Sequence, residues 1–471
     1  MRSSSDTRTP VAERFGVLLE QLGPTFVKLG QMLALRPDYL PLPYAHALMR
    51  LHAHVQPFDG TVAEKIVETE LGKPLSTLFA DFEHEPFASA SLSQVHRATL
   101  FDGRVVAVKV QRPEVADLVA RDLALLRWVA RKFDAHVSRS IGFVPTDAVD
   151  ELATYTTREL DFRREAAVSE EIRRNAGSDH HVVVPAVHRT LSTARVLVTD
   201  FIDGLEPAPE ADLARAGINP DEVLNAGARW MIRQFFTDGV FHADPHPGNI
   251  LFLPGDRLCL LDFGMFGRLD YRQRRRMGLM LLALVSGDFN AVGTQLLRVC
   301  TLRPGADPRG FRDGVAEIVE EWYRGDSGMT AAQLLLRDLA LGASYGIVFP
   351  RDLMLLCRAM VTLESTVRIV RPELELAALL RPVLPELRNA LLPSPSSVRS
   401  MWKEERIDFL GLALDLPDML LEAADKLGQG SLLDQVPAAP RRKPSRGWVP
   451  VAAGLVAGGV ITRTVLTAQK R

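Results

Sequence analysis

Two short segments of this 471-residue chain hold the residue types that phosphoryl transfer needs. Residues 242–249 read HADPHPGN, and residues 261–264 read LDFG. Phosphoryl transfer needs a carboxylate near the attacking oxygen, and it needs hard oxygen ligands for Mg²⁺, which neutralises charge on the phosphates. Asp244 supplies the carboxylate, and Asn249 and Asp262 supply the metal ligands. The steps of five residues from Asp244 to Asn249 and 13 residues from Asn249 to Asp262 are typical of kinases.

The same loop allows two other interpretations. Asp244 and Asn249 are residue types that also stabilise ordinary turns. His242, Asp244 and His246 form an HxDxH pattern, and imidazole with carboxylate would suit zinc or iron. The two prolines of the loop and the magnesium-type residues downstream favour the kinase interpretation. It predicts that His242 and His246 order the loop through hydrogen bonds.

Lys109 is the expected cation of the site. It ends the sequence VAVK, whose alternation predicts a strand that points Lys109 inward among apolar neighbours. A buried ammonium is costly without a partner, so we expect a phosphate and a carboxylate nearby. A strand lysine can also reach solvent, and the downstream loop argues against that here.

The carboxylate should come from residues 159–165, ELDFRRE, where Glu159, Asp161 and Glu165 are the candidates. Glu159 and Glu165 are six residues apart and do not share a helix face as an i,i+4 pair would. They are therefore predicted to serve different purposes. Taken alone, the segment also fits a solvated, charged helix.

The elements around these residues predict an α+β fold. Helical periodicity precedes residue 37, and a β-rich part with an Asp102-Gly103 hairpin turn follows residue 60. A helix is predicted to open at Pro113. After Gly204 the pattern is mainly helical to about Gly428, apart from a short hairpin. The predicted strands are 93–100, 104–110, 195–201, 250–252 and 258–261.

Taken together, these residues resemble the UbiB/ADCK family of atypical kinases, over residues 10 to 400. Four further matches carry the resemblance, and they are specific. Lys28-Leu29-Gly30-Gln31 matches the KxGQ motif, Ala88-Ser89-Ala90-Ser91 before Gln94-Val95-His96 matches the Ala-rich loop, Glu159-Leu160-Asp161 matches the ExD motif, and residues 242–249 match the extended catalytic loop.

The resemblance implies a bilobal, protein-kinase-like fold. Its expected parts are an N-terminal helical extension with KxGQ (1–60), an N-lobe with the Ala-rich loop (61–203), a helical C-lobe (204–400), a helical segment with a linker (401–440) and a basic, apolar tail (441–471).

The resemblance also implies roles for individual residues. Lys109 would contact the α/β-phosphates of ATP or ADP and pair with Glu165, Asp244 would be the catalytic-loop acid, and Asn249 and Asp262 would hold Mg²⁺. The implied nucleotide-binding residues are Ala88, Ser89, Ala90, Ser91, Val95, Lys109 and Asp200. The implied regulatory residues are Lys28, Gly30, Gln31, Glu159 and Asp161. Lys28 would lie near Glu159 and Asp161, and its helix would occupy the space that a protein substrate would need.

Three departures from ordinary kinases argue against protein phosphorylation. No GxGxxG precedes Lys109, no Ala-Pro-Glu follows Asp262, and Ala243 stands where protein kinases place an arginine. The resemblance instead implies ATPase-like chemistry that supports isoprenoid-quinone or other lipid metabolism, with a nucleotide preference shifted toward ADP. Its implied partners are an isoprenoid lipid or quinone precursor and a lipid-biosynthesis protein complex.

Composition sets the cellular setting. The net charge of -2 gives no reason to expect a nucleic-acid partner. Three scattered cysteines predict no disulfide framework or zinc ribbon and fit a reducing compartment. Residues 1–9 hold no apolar stretch that could act as a signal peptide, so most of the chain should stay on the cytoplasmic side.

The tail suggests contact with a membrane surface. Arg441-Arg442-Lys443 and Arg446 would suit anionic headgroups on the cytoplasmic face, and the apolar stretch 448–461 follows them. That stretch of 14 residues is shorter than the ~20 that span a bilayer as a helix. The alternative is a glycine-rich helix packed on the kinase lobe.

These residues are compatible with three functions. The first is a Mg²⁺-ATP-dependent ATPase or small-molecule kinase, which the complete set of metal and phosphate ligands favours. The second is a catalytically weak regulatory module, a pseudokinase that organises a membrane biosynthetic complex. The third, a conventional protein kinase, is disfavoured by the three departures.

Overall fold

The computed structural model describes residues 11–34, 42–48, 51, 56–141, 145–177, 179–325, 329–374 and 379. The chain divides into two units, Met1–Leu392 and Pro393–Arg471. The second unit lies outside the described residues, and so do the predicted linker, basic run and apolar tail. Within the described part, no helix is long and apolar enough to cross a membrane.

Three helices form the N-terminal part: α1 Val11–Leu22, α2 Pro24–Ala34 and α3 Leu42–Leu48. Gly23 turns the chain between the first two with φ +106°. Apolar side chains of all three helices make one small core, which includes Leu19, Val27 and Leu48. Gly30 lies where α2 meets this core, and a Cβ there would collide with the side chains of Leu51 and Leu19.

The β-rich part begins with α4 and ends with the strand that precedes residues 201–204, which form the hinge between the two lobes. Its elements are α4 Gly60–Leu71, α5 Leu75–Leu78, β1 Asp81–Phe82, β2 Ala88–Ser89, β3 Ser93–Thr99, β4 Val105–Gln111, α6 Val115–Ile141, α7 Pro145–Glu159, α8 Phe162–Ala176, β5 Val182–Val183 and β6 Val196–Asp200.

The N-lobe sheet is antiparallel, with strand order β1-β3-β4-β6 and β2 paired to β3. The Asp102-Gly103 turn lies between β3 and β4, with Gly103 at φ +87°. Val106, Val108 and Val110 pack against α4 in the lobe's core. Since side chains alternate along a strand, Lys109 points to the opposite face. The expected inward orientation of Lys109 is present, since only 16% of its side chain is exposed, but the lysine faces the carboxylate of Glu165 and not the apolar face that the valines occupy.

Helices α6, α7 and α8 join this sheet to the rest of the molecule. The predicted start of α6 at Pro113 was two residues early, because Glu114 adopts a left-handed conformation (φ +55°) before the helix begins. Apolar residues of α6 and α7 pack on Leu92 and on Leu29 and Met32 of α2. The helical extension is thus in direct contact with the N-lobe.

The C-lobe is mainly helical. Its elements are α9 Glu210–Arg215, α10 Pro220–Arg233, a π-helical turn Gln234–Asp238, β7 Val240–His242, a 3-10 turn Pro247–Asn249, β8 Ile250–Leu253, β9 Arg257–Leu260, β10 Phe266–Arg268, α11 Tyr271–Val285, α12 Phe289–Leu297, β11 Thr301–Leu302, α13 Pro308–Tyr323, α14 Ala331–Ser344, β12 Ile347–Val348 and α15 Arg351–Val370.

Two small sheets of the C-lobe hold the loops of interest. Strand β7 pairs with β10, and β8 forms the predicted hairpin with β9, which also pairs in parallel with β5. Loop 242–249 therefore leaves the first sheet and enters the second. The segment from Leu261 to Met265 makes the reverse connection, so the geometry of the two sheets fixes both loops next to each other.

Candidate functional site

His242 fastens the first loop to the second. Its backbone N–H donates to Gln234 Oε1 (2.9 Å), and its Nε2 lies 2.9 Å from the carbonyl oxygen of Leu261. Its Nδ1 accepts from the backbone N–H of Asp244 (3.1 Å), so the proton must be on Nε2. Burial lowers the pKa of His242, which keeps the ring neutral and suited to both bonds.

The turn that follows is ordered in the same way. Gly248 N–H donates to His246 Nδ1 (3.1 Å), and Asn249 Nδ2 donates to the carbonyl of Asp244 (3.1 Å). The loop-ordering roles expected of both histidines are thus present. Among the residues described, no group of three or more His, Cys, Asp or Glu could hold a metal ion, so the zinc or iron alternative finds no support.

Asp244 is bound by an arginine that the sequence reasoning missed. Arg358 of α15 donates to Asp244 Oδ2 from Nη2 (3.0 Å) and to Oδ1 from Nε (3.3 Å). Burial raises the pKa of Asp244, but Arg358 lowers it more, so the carboxyl stays ionised. No local pattern marks Arg358, because it lies 114 residues further on.

The LDFG segment forms a tight turn around Asp262. Asp262 has φ +50°, and its Oδ1 accepts from the N–H of Gly264 (3.0 Å). Phe263 is buried against the His242 ring, at 5.3 Å between centroids. The phenylalanine therefore anchors the turn, and its left-handed residue presents a carboxylate to the neighbouring lobe.

Lys109 joins the two lobes at this carboxylate. Its Nζ lies 2.9 and 3.0 Å from the two oxygens of Glu165 and 3.1 Å from Asp262 Oδ1. The pairing expected of Lys109 and Glu165 is present. Burial opposes the charge of Asp262, yet Lys109 and the Gly264 hydrogen bond hold its pKa well below the usual range.

Glu165, the third side chain in contact with Lys109 and Asp262, is less charged than they are. Burial raises the pKa of Glu165 to about 7, and the neighbouring Asp262 adds to that effect against Lys109. Burial lowers the pKa of Lys109, but the two carboxylates outweigh it and raise the value above that of a free lysine. The three side chains together, one ammonium and two carboxyl groups, are thus short of positive charge. A bound Mg²⁺ would supply it.

The Ala-rich loop lies at the edge of the sheet that carries Lys109. Ala88 and Ser89 pair with β3, and Val95 is the direct cross-strand partner of Lys109. Arg112 fixes the loop by hydrogen bonds to Ser89 Oγ (2.8 Å) and the Ala90 carbonyl (3.0 Å). Ser91 is buried at the end of the loop.

Asp200 lies at the end of β6, where the N-lobe sheet leads into the hinge. Its Oδ1 is 2.8 Å from His188 Nε2, and its Oδ2 accepts from the N–H of Ala186 (3.3 Å). The carboxylate is therefore engaged with the adjoining loop. Any role in nucleotide binding would fall to the backbone around it.

The KxGQ segment contacts the ExD segment through one acid. Lys28 Nζ forms an ion pair with Glu159, and Gln31 Nε2 donates to the carbonyl of Leu51 (3.2 Å). Asp161, also expected near Lys28, instead caps α8 and binds Arg163 through both oxygens (2.8 Å each). A salt bridge thus fixes helix α2 to the end of α7, six residues before Glu165.

Comparison with known proteins shows the family to which the chain belongs. Residues 50–296, more than half of the chain, match the model of the ABC1 atypical kinase-like domain, and residues 323–375 match the UbiB helical domain. The chain belongs to the UbiB/ADCK family of atypical kinases. The predicted family is confirmed, and so is the predicted kinase-like α+β fold.

A solved structure agrees with this family fold. The complex of Rv3197 with erythromycin from Mycobacterium tuberculosis resembles this UbiB/ADCK chain with a TM-score of 0.52 and 23% sequence identity. The match covers 81% of this chain and 96% of that one. At this identity the likeness supports the fold alone.

Proposed function

We propose that this protein is an atypical kinase that hydrolyses ATP with Mg²⁺. The observation that carries the proposal is the position of Lys109, whose Nζ contacts both Glu165 of the N-lobe and Asp262 of the C-lobe. Such an arrangement binds nucleotide phosphates when the two lobes enclose them. A structural ion pair alone would not need the second carboxylate.

The residues present fit Mg²⁺. Asn249 uses only Nδ2 in its bond to Asp244, which leaves its Oδ1 as a ligand atom, and Asp262 adds a carboxylate oxygen. Mg²⁺ is held by few protein oxygens together with water and phosphate. When bound, Mg²⁺ would neutralise the charge that develops on the phosphates.

The chain's own residues would do the rest. Lys109 would bind the α/β-phosphates, with Glu165 holding the ammonium in place. Asp244 would orient the attacking water. Because Arg358 keeps its carboxylate ionised, Asp244 is better suited to accept a hydrogen bond from the water than to act as a general base near neutral pH. Val95 and the Ala-rich loop from Ala88 to Ser91 would cover the nucleotide. The loop has less backbone freedom than glycine would give, and we propose that it shifts the preference toward ADP.

Two further parts of the proposal come from family membership. The protein would act in isoprenoid-quinone or other lipid metabolism, in contact with a lipid-biosynthesis complex. It would do so at the cytoplasmic face of a membrane, to which the basic, apolar tail at 441–471 would bind.

One observation favours the second candidate, a nucleotide-binding regulatory module. The Lys28–Glu159 ion pair holds α2 against the N-lobe close to the site. A helix fixed there would limit access for a large substrate and favour slow turnover. In that case, nucleotide binding would change the shape of the protein rather than drive a reaction.

The test is phosphate release from ATP by the purified full-length protein with Mg²⁺, with and without anionic vesicles. We expect turnover that Asp262→Asn abolishes and that vesicles increase. Nucleotide binding without turnover under every condition would overturn the ATPase proposal in favour of the regulatory module. A protein band phosphorylated in an Asp244-dependent manner would instead support a conventional protein kinase.

A further inference from the structure

A cavity of about 430 Å³ opens beside Glu165 and Gly264. Its walls come from the end of α7, the start of α8, strand β10 and the first turn of α15. Two other cavities in the protein measure only about 60 and 40 Å³. The larger one falls within the ~300–1,000 Å³ typical of small-molecule sites.

This cavity is separate from the proposed nucleotide phosphate site. Lys109, Asn249 and Asp262, the residues proposed to hold phosphate and metal, do not line it. Glu165 belongs to both sites, and Gly264 follows Asp262 by two residues. A ligand in the cavity would therefore be a neighbour of the nucleotide and not the nucleotide itself.

Four arginines line the cavity: Arg158, Arg164, Arg268 and Arg351. Arg268 is already neutralised, because it binds the two oxygens of Glu171 at 2.9 and 2.5 Å. Across the part of the chain that the structure describes, Arg158, Arg164 and Arg351 form no ion pair with a carboxylate. Three guanidinium groups are thus available in one cavity.

The acids in the cavity wall do not balance these cations. Glu159 is paired with Lys28, Asp161 with Arg163, and Glu165 with Lys109. Asp352 is the remaining acid, and its Oδ1 accepts from the backbone N–H of Arg268 (3.0 Å). Three unpaired cations against one such acid give a local excess of positive charge, which suits an anion.

The ring of Tyr155 positions one of these arginines, Arg351. The Arg351 guanidinium lies 5.3 Å from the centre of the Tyr155 ring, so the aromatic face helps to hold it in place. Tyr155 also lines the cavity, so the arginine that it positions lies at the cavity wall.

We propose that this cavity binds the phosphate group of a second ligand, a phosphomonoester or diphosphate, through Arg158, Arg164 and Arg351. A planar guanidinium group binds two phosphate oxygens at once. A phosphate therefore suits a cavity with three arginines better than a halide or a single carboxylate would. The phosphate can belong to a free small molecule or to a lipid headgroup. The site does not depend on ATP hydrolysis, although a ligand there would contact the wall formed by Glu165.

The test uses inorganic pyrophosphate as the probe and isothermal titration of the full-length protein, with and without Mg²⁺-ADP. We expect Arg158→Gln and Arg164→Gln each to weaken pyrophosphate binding about tenfold, since each removes a charge-assisted hydrogen bond. Both side chains are exposed and unpaired, so the variants should fold as the wild type does. Arg121→Gln, on the exposed surface of α6, is the matched control and should bind as the wild type does.

A second arm separates the two sources of phosphate. Sedimentation with phosphatidylcholine vesicles, with and without phosphatidic acid, reports binding to a lipid headgroup. Pyrophosphate binding that persists with Mg²⁺-ADP and weakens in the two variants supports the site. Loss of phosphatidic-acid-dependent sedimentation in the same variants assigns it to a headgroup. The proposal would be overturned if pyrophosphate binding and vesicle binding were both unchanged in the variants. It would also be overturned if Mg²⁺-ADP abolished pyrophosphate binding. Both outcomes are independent of whether the protein hydrolyses ATP.

Discussion

Arg358 of α15 donates to Asp244 Oδ2 at 3.0 Å and thereby joins the catalytic-type loop to a helix 114 residues further along the chain. Both side chains are largely buried, at 12% and 18% exposure. Because the pair is removed from water, its geometry matters more than that of a surface salt bridge. The ion pair thus ties the loop to the helical C-lobe segment that matches the UbiB helical domain.

Removal of Arg358 should destabilise the protein strongly. Arg358→Gln leaves the buried carboxylate of Asp244 without its cation, which typically costs about 3–5 kcal/mol. Asp244→Asn in the same chain removes the charge that was left, so the double variant should be more stable than Arg358→Gln alone. Urea unfolding of the wild type, both single variants and the double variant measures this coupling. Strictly additive effects would mean that the ion pair contributes nothing.

The titration of Glu165 should make stability depend on pH. Its folded pKa of about 7 lies above the ordinary glutamate pKa of 4.5, so between these values the folded protein holds a proton that the unfolded chain has lost. Stability should therefore fall as the pH rises through this window and level off above it, by roughly 3 kcal/mol in total.

Glu165→Gln removes this titration. The difference in unfolding free energy between wild type and Glu165→Gln should change between about pH 5 and pH 8, and urea unfolding across that range measures it. Parallel curves for the two proteins would show that Glu165 has an ordinary pKa in the folded state.

The sequence predicted the parts of the site that are local in the chain. The spacing in residues 242–249 and 261–264 identified both loops, and the Asp102-Gly103 turn placed the hairpin that carries Lys109. These patterns succeed because a turn or a strand depends on neighbouring residues. The alternation also predicted that Lys109 points inward, but it could not show that the apolar core meets the opposite face of the strand, because a pattern of alternation does not say which face meets the core.

Contacts between distant segments could not be predicted in this way. Arg358 is one of many arginines in a helical region, and only the packing of α15 on the catalytic-type loop singles it out. The same holds for Arg112, which fixes the Ala-rich loop, and for the choice of Glu159 over Asp161 as the partner of Lys28. Each depends on how separate elements meet, which no short sequence pattern records.

Gly30 should be required for packing rather than for flexibility. A Cβ at this position collides with Leu51 and Leu19, so Gly30→Ala should cost about 1–3 kcal/mol as an overpacked core. Gly16→Ala in α1 is the matched control, because its Cβ would meet Leu51 at an ordinary 3.7 Å. Alanine favours the helix, so this control should be neutral or slightly stabilising. Thermal unfolding measures both effects, and an equal fall in the midpoint temperature of the two variants would contradict the packing argument.

Arg112 should control nucleotide affinity through the Ala-rich loop. Its side chain donates to Ser89 Oγ and to the Ala90 carbonyl, so Arg112→Gln releases the loop from two contacts, and it also removes the bond of Arg112 to the Gln56 carbonyl (2.9 Å). A freer loop must be ordered again when nucleotide binds, which costs free energy of binding.

We expect Arg112→Gln to weaken ADP and ATP binding about tenfold, at the scale of one lost hydrogen bond to a charged group. Arg104→Gln is the matched control, because Arg104 lies in the turn that precedes β4 of the same lobe and pairs with the nearby, exposed Asp102. Titration calorimetry with each nucleotide measures the two affinities. Equal affinities in the wild type and Arg112→Gln would show that the loop does not cover the nucleotide. A larger loss for one nucleotide than for the other would instead show that the conformation fixed by Arg112 sets the preference between ADP and ATP.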